Sequence, residues 1–234
     1  MSASAQHGSP INDFAVLNSE IMCLETDRNT LIRFIALVFF GIAFAYIESA
    51  VVVYLRAVFY PDGFNFPLVD FDDIAGFGPY LLAEIGREAA TLVLMFTASY
   101  MLGRNLRRRF AYFLTIFAVW DIFYYVWLKV LIDWPASVMD WDILFLIPVA
   151  WAGPVLAPVV TSLTMLIIAV VLFGDRPVKL TLPRLAGFAA LVLMTIVVFC
   201  NAGLNSTKPD YKLYFSWPGF VALHAALIGL LLTR

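Results

Sequence analysis

Charge is the first thing this chain lacks. Charged residues make up 14% of its 234 residues, where a soluble domain usually carries about a quarter. It has 2 histidines and 2 cysteines. These shortages exclude whole classes of chemistry. There is no HExxH and no His-rich cluster, which argues against a zincin or a copper site. No CxxCH offers haem attachment. No GxGxxG or Walker A run offers a nucleotide cradle, and no GxSxG offers a nucleophile elbow. Lys and Arg total 15 against 17 Asp and Glu, so no basic excess points to a nucleic acid partner. The N-terminus lacks the basic, apolar, small-residue order of a signal peptide.

What the chain has in excess is apolar surface. Hydrophobic residues make up 62% of it. That composition predicts an all-α integral membrane protein, a bundle of transmembrane helices in the lipid bilayer. Six stretches are long enough to cross, at about 31–55, 80–102, 110–131, 154–173, 185–204 and 217–232. A polar tail, residues 1–29, precedes this 30–234 domain and is expected to be cytoplasmic. Between spans three and four the apolar run is too long for one helix. Pro148, Gly153, Pro154 and Pro158 break it, so Trp141–Ile147 is expected to be a short outer or re-entrant piece before helix four.

Loop charge sets the orientation. Arg104, Arg107, Arg108 and Arg109 follow span two. Arg176, Lys179 and Arg184 follow span four, and Arg28 and Arg234 flank the ends. The positive-inside rule puts these on one side, with both termini cytoplasmic in a plasma (inner) membrane. Cys23 and Cys200 then fall on opposite sides, so no intramolecular disulfide is expected. The 61–79 loop is acidic and rich in Phe, Gly and Pro; it is expected to be a plain interfacial loop, with a lid folded over the bundle as the alternative.

Against that apolar background a few polar residues stand out. Gly41, Ala45 and Ser49 form a small-residue ridge on span one, with Glu48 beside it. Span two carries Glu84, Arg87 and Glu88. The two acids are four apart and share a helical face with Thr91 and Met95. Asp121, Tyr125 and Lys129 form a stripe on span three, beside Tyr124. His224 lies in span six. Measured at about 1.5 Å per residue from the outer ends, Glu48, Glu84, Glu88, Asp121 and His224 all fall in the outer half. A shared depth predicts one carboxylate-rich pocket opening outward.

Glu48, Glu84, Glu88 and Asp121 outnumber the bases Arg56, Arg87 and Lys129, more so if Arg56 and Lys129 reach the surface. Excess buried carboxylate either binds a cation or holds protons. The expected function is therefore a cation- or proton-coupled transporter. The alternatives are a membrane-embedded enzyme using acid/base or metal-assisted chemistry on an amphiphile, and a non-catalytic subunit of a membrane complex. Either a homo-oligomer or a larger complex would suit the last. A divalent metal at Glu48, Glu84, Glu88, Asp121 and His224 is a further expectation. It is weakened because the ExxRE pattern of span two departs from the ExxH of di-metal bundles.

Overall fold

The computed structural model describes residues 10–69, 77–174 and 181–232, with residues 10–30 as backbone alone. The expectations placed on Cys23, Arg28, Arg176, Lys179 and Arg234 fall outside the described side chains, and residues 70–76 of the acidic loop fall outside the description.

Helix dominates. In chain order the elements are α1 (Pro10–Phe59), α2 (Phe77–Leu102), α3 (Leu106–Ile132), β1 (Trp141–Phe145), β2 (Trp151–Pro154), α4 (Leu156–Phe173), α5 (Leu182–Leu204), a 3-10 turn (Tyr211–Tyr214) and α6 (Trp217–Leu232). Among the described residues, five helical stretches are long and apolar enough to cross a membrane: Leu31–Phe59, Leu106–Ile132, Leu156–Phe173, Leu182–Leu204 and Tyr211–Leu231. This is compatible with a multi-pass membrane protein. α2 is 26 residues long but falls short in apolarity, because Glu84, Arg87 and Glu88 sit inside it. α1 begins at Pro10, well before its apolar part.

The all-α expectation needs correcting at the broken segment. Trp141–Phe145 and Trp151–Pro154 pair as an antiparallel hairpin, with Asp142 opposite Gly153 and Ile143 opposite Ala152. Two prolines and a glycine prevent a helix there, while the β-favouring WDILF run supplies the first strand. Gly153 is closely enclosed, since a Cβ would lie 3.2 Å from the Phe199 ring and 3.3 Å from the Phe215 ring and would press on both. At Gly203 on α5 the fit is tighter still: a Cβ would meet the Ala150 carbonyl oxygen at 1.8 Å. The hairpin is thus laid directly against α5.

α3 is the central helix, packed on α1, α2 and α4. Asn105 caps its start, its side-chain oxygen accepting from the Arg108 N–H at 2.9 Å. Asp133 ends it in a left-handed conformation (φ 53°). The small ridge of α1 faces α3: Gly41 meets Val119, Ala45 is fully buried, and Ser49 donates to the carbonyls of Ala45 (2.8 Å) and Tyr124 (3.1 Å). Close approach of α1 and α3 follows from these small residues. It brings the polar faces of both helices to the hairpin.

Candidate functional site

Four elements meet around one cavity of ≈ 120 Å³. α1 contributes Glu48, Val52 and Arg56, spaced by four and therefore on one face. α2 contributes Glu84, Arg87 and Glu88; its buried stripe continues through Thr91, Met95 and Ser99. α3 contributes Trp120, Asp121, Tyr124 and Tyr125, and the first strand contributes Asp142 and Ile143. Tyr60 and Phe64 close the side beyond α1. Farther along the helices, Ala45, Met95, Tyr112 and Ile116 pack together, all but excluded from solvent.

The charges divide into two clamps. Arg87 donates from Nε (2.9 Å) and Nη2 (2.7 Å) to Glu84 Oε2, and from Nη1 to the Glu48 carboxylate. This single guanidinium ties α2 to α1 and satisfies two acids. The second clamp is Arg56, whose Nη2 donates to Asp142 Oδ1 at 2.8 Å. The side chains are 10% and 2% exposed, so this is a buried ion pair. Asp142 also accepts from the Ile143 N–H (2.9 Å) and the Tyr124 hydroxyl (3.3 Å). The guanidinium of Arg56 lies over the rings of Phe64 (4.2 Å) and Trp134 (3.8 Å), a geometry in which aromatic faces stabilise cations.

Two acids on the wall have no cationic partner among the described residues. Glu88 Oε2 accepts from the Leu146 N–H at 2.9 Å, so the hairpin backbone reaches across to α2. Asp121 Oδ2 accepts from Ser162 Oγ of α4 at 2.7 Å. The balance is therefore five carboxylates to two guanidiniums, with Glu88 and Asp121 left over. Side-chain donors are left over too. Arg56 Nη1, Tyr60 OH, Trp120 Nε1 and Tyr125 OH are buried without a partner among the described residues, and all four belong to cavity-lining residues.

The structure brings together Glu48, Glu84, Glu88, Asp121, Arg56, Arg87, Tyr124 and Tyr125. Two other expected members lie elsewhere. His224 sits between α6 and α4: Nε2 is 3.0 Å from Thr161 Oγ1, Nδ1 is 2.9 Å from the Phe220 carbonyl, and the ring lies against Phe220, tilted by 42° with centroids 4.1 Å apart. Depth along a span fixes its height but not its side of the bundle. Lys129 is half-exposed at the end of α3, paired with Asp133 at 2.7 Å and donating to the carbonyls of Asp133 and Pro135. A lysine in the last turn of a helix reaches for its terminal carbonyls. Its ammonium in turn holds the exposed Asp133 carboxyl below the ordinary range, through a hydrogen bond and through charge.

The five residues expected to share a metal are not assembled for it. Among the described residues no three of His, Cys, Asp and Glu are grouped to hold an ion. Glu48 and Glu84 instead share Arg87, while Glu88 turns to Leu146 N–H and Asp121 to Ser162. Sequence reasoning misses Asp142, which falls in the Trp141–Ile147 piece and is assigned no part in the pocket. A signal is present: Trp-Asp occurs at 120–121 and again at 141–142, and both aspartates line the cavity. Tyr60, Phe64 and Trp120 are missed as well, the first two because an aromatic loop reads as interfacial. No family model, curated protein or solved structure matches this chain.

Proposed function

We propose that the chain is a six-span membrane protein whose cavity binds a small cation or proton from the outer side, as the coupling site of a transporter. α2 serves as the sixth span: its charged residues face the cavity, while Leu82, Val93, Phe96 and Met101 are exposed and would face lipid. The basic α2–α3 junction, Arg104 with Arg107–Arg109 in the first turn of α3, lies on the cytoplasmic side with both termini, which turns the cavity outward. One observation carries the reading. Both arginines of the cavity are already matched by Glu48, Glu84 and Asp142, yet Glu88 and Asp121 line the same cavity. Ionised carboxylates inside a membrane cost a few kcal/mol each unless something offsets them. A bound cation or proton supplies that offset.

The test is flux in reconstituted liposomes with a trapped pH dye, across imposed gradients of protons, sodium and potassium. The wild-type chain should show gradient-driven flux. Glu88→Gln and Asp121→Asn should each lower it at least about tenfold, the size expected for losing one charged contact. Unchanged flux in both variants would sink the reading.

A second reading, a membrane enzyme, is favoured by the packed layer beneath the cavity. Ala45, Met95, Tyr112 and Ile116 are buried together in one packed cluster, which suits a site entered and left from one side. Glu88 and Asp121, held differently by a backbone N–H and a serine hydroxyl, would then act as an acid/base pair on an amphiphile. Lipid extracts incubated with the protein and read by mass spectrometry would show product, lost in the Glu88→Ala and Asp121→Ala variants. An active double variant rules this reading out.

A further inference from the structure

We infer that the α2–α3 junction is a docking site for the headgroup of an anionic phospholipid, held by Arg104, Arg107, Arg108 and Arg109. The inference needs only that the chain lies in a bilayer; it is independent of what the cavity binds.

These four arginines fall within residues 104–109, and none has a carboxylate partner among the described residues. The described acids are gathered at the opposite end, around the cavity and in the loops after α1, α3 and α5. The charges also sit where a helix disfavours them. Arg107, Arg108 and Arg109 occupy the first turn of α3, which holds no acid. The amino-terminal end of a helix carries partial positive charge and is stabilised by anions, not by cations. Adjacent guanidiniums repel one another as well. An anion docked on the junction offsets both costs.

Two of the side chains are held in place. Arg109 donates from Nε to the Gly103 carbonyl at 3.0 Å, and its guanidinium lies 3.6 Å over the Tyr100 ring. The turn depends on a glycine, because a Cβ at Gly103 would lie 2.5 Å from both the Arg109 backbone nitrogen and its Cγ. Arg108 stands over Phe173 at the end of α4, 5.3 Å from the ring centroid. A guanidinium held by its face keeps its N–H edge available, and that edge matches phosphate oxygens two at a time.

The surroundings favour an amphiphile over a free ion. Met101, Leu106 and Phe110 flank the arginines and are 85%, 69% and 44% exposed. In a bilayer they would meet acyl chains while the guanidiniums meet headgroups. A cluster of roughly four to eight basic residues at the end of a membrane helix attracts anionic lipid, by about fivefold for each residue near the surface.

Native mass spectrometry of the full chain in mild detergent tests this, with phosphatidylglycerol and phosphatidylcholine of matched acyl chains offered in equal amounts. The wild type should prefer phosphatidylglycerol by at least about 25-fold, the worth of two such residues. Arg108→Gln and Arg109→Gln should each lower the preference about fivefold. Removing the same charge at the opposite end, by Lys208→Gln or Lys212→Gln, should leave it unchanged. Equal retention of the two lipids by the wild type overturns the inference, and that result needs no variant to fold. An unchanged preference in both arginine variants overturns it too. So does an equal fall in the lysine variants, which would mean that net charge alone attracts the lipid. Inorganic phosphate, substituted for sodium chloride at matched ionic strength, separates the two sources of phosphate. Retained phosphatidylglycerol supports the lipid site, and its displacement to the phosphatidylcholine level overturns it in favour of a free anion.

Discussion

His224 and the Glu88–Asp121 pair are equally conspicuous as polar residues in apolar helices, and the fold treats them in opposite ways. His224 has both ring nitrogens within hydrogen-bonding distance of its neighbours, Thr161 Oγ1 and the Phe220 carbonyl, and the Phe220 ring packed at a tilt against it. Its polarity is used up inside the α4–α6 contact. Glu88 and Asp121 each take one neutral donor, and their wall holds buried donors with no acceptor among the described residues. Rarity of a polar residue in a span therefore does not mark a site. An unbalanced set of partners does.

Asp142→Ala should break this contrast most forcefully. It leaves Arg56 buried beside Tyr124 without its counter-charge, which costs about 3–5 kcal/mol. Thermal unfolding in detergent, followed by circular dichroism, reads that loss. A variant as stable as wild type would mean Arg56 simply swings to water. Gly203→Ala comes next. Its Cβ would overlap the Ala150 carbonyl, and a clash with backbone is expected to cost about 3 kcal/mol. If it is silent in the same assay, the hairpin does not depend on its contact with α5.

His224→Gln should cost only about 1 kcal/mol, the net worth of one hydrogen bond, and leave flux untouched. An effect on flux would join the two places that the structure separates. Smallest is Lys129→Ala. Its partner Asp133 has a carboxyl held below the ordinary range, so any stability from the pair is present above the usual aspartate range and is lost as pH falls through the lowered value. The pair is exposed and screened by salt. An acid titration of thermal stability should show no step that depends on Lys129.

Much of the cavity is legible in the sequence. Helical spacing puts Glu84 and Glu88 on one face, and Glu88, Thr91 and Met95 are indeed buried together. The small ridge of α1 identifies the side on which Glu48 turns inward. What periodicity cannot give is rotation of one helix about the bundle relative to another, and that is why depth alone groups His224 with the acids. Lys129 departs from expectation for a related reason. Its stripe is right, since Asp121 and Tyr125 line the cavity, but a long side chain in the last turn follows the carbonyls at the helix end. The hairpin is visible in the sequence only as a failure of helix. Proline and glycine say where a helix stops, not what backbone replaces it.

That hairpin has a consequence for how the chain is made. Its partners are spread along the sequence: Arg56 in α1, Glu88 in α2, and Phe199 and Gly203 in α5, which is synthesised later. A strand pair emerging between α3 and α4 thus has no complete seat until α5 has been translated. Chains truncated before residue 182 should leave the 141–154 segment open to protease, while full-length chains protect it; protection in the truncated form would refute this order. During biogenesis the segment that completes the cavity would be a late-docking part, and the carboxylates of α1 and α2 would wait, half-housed, for a wall that comes after them.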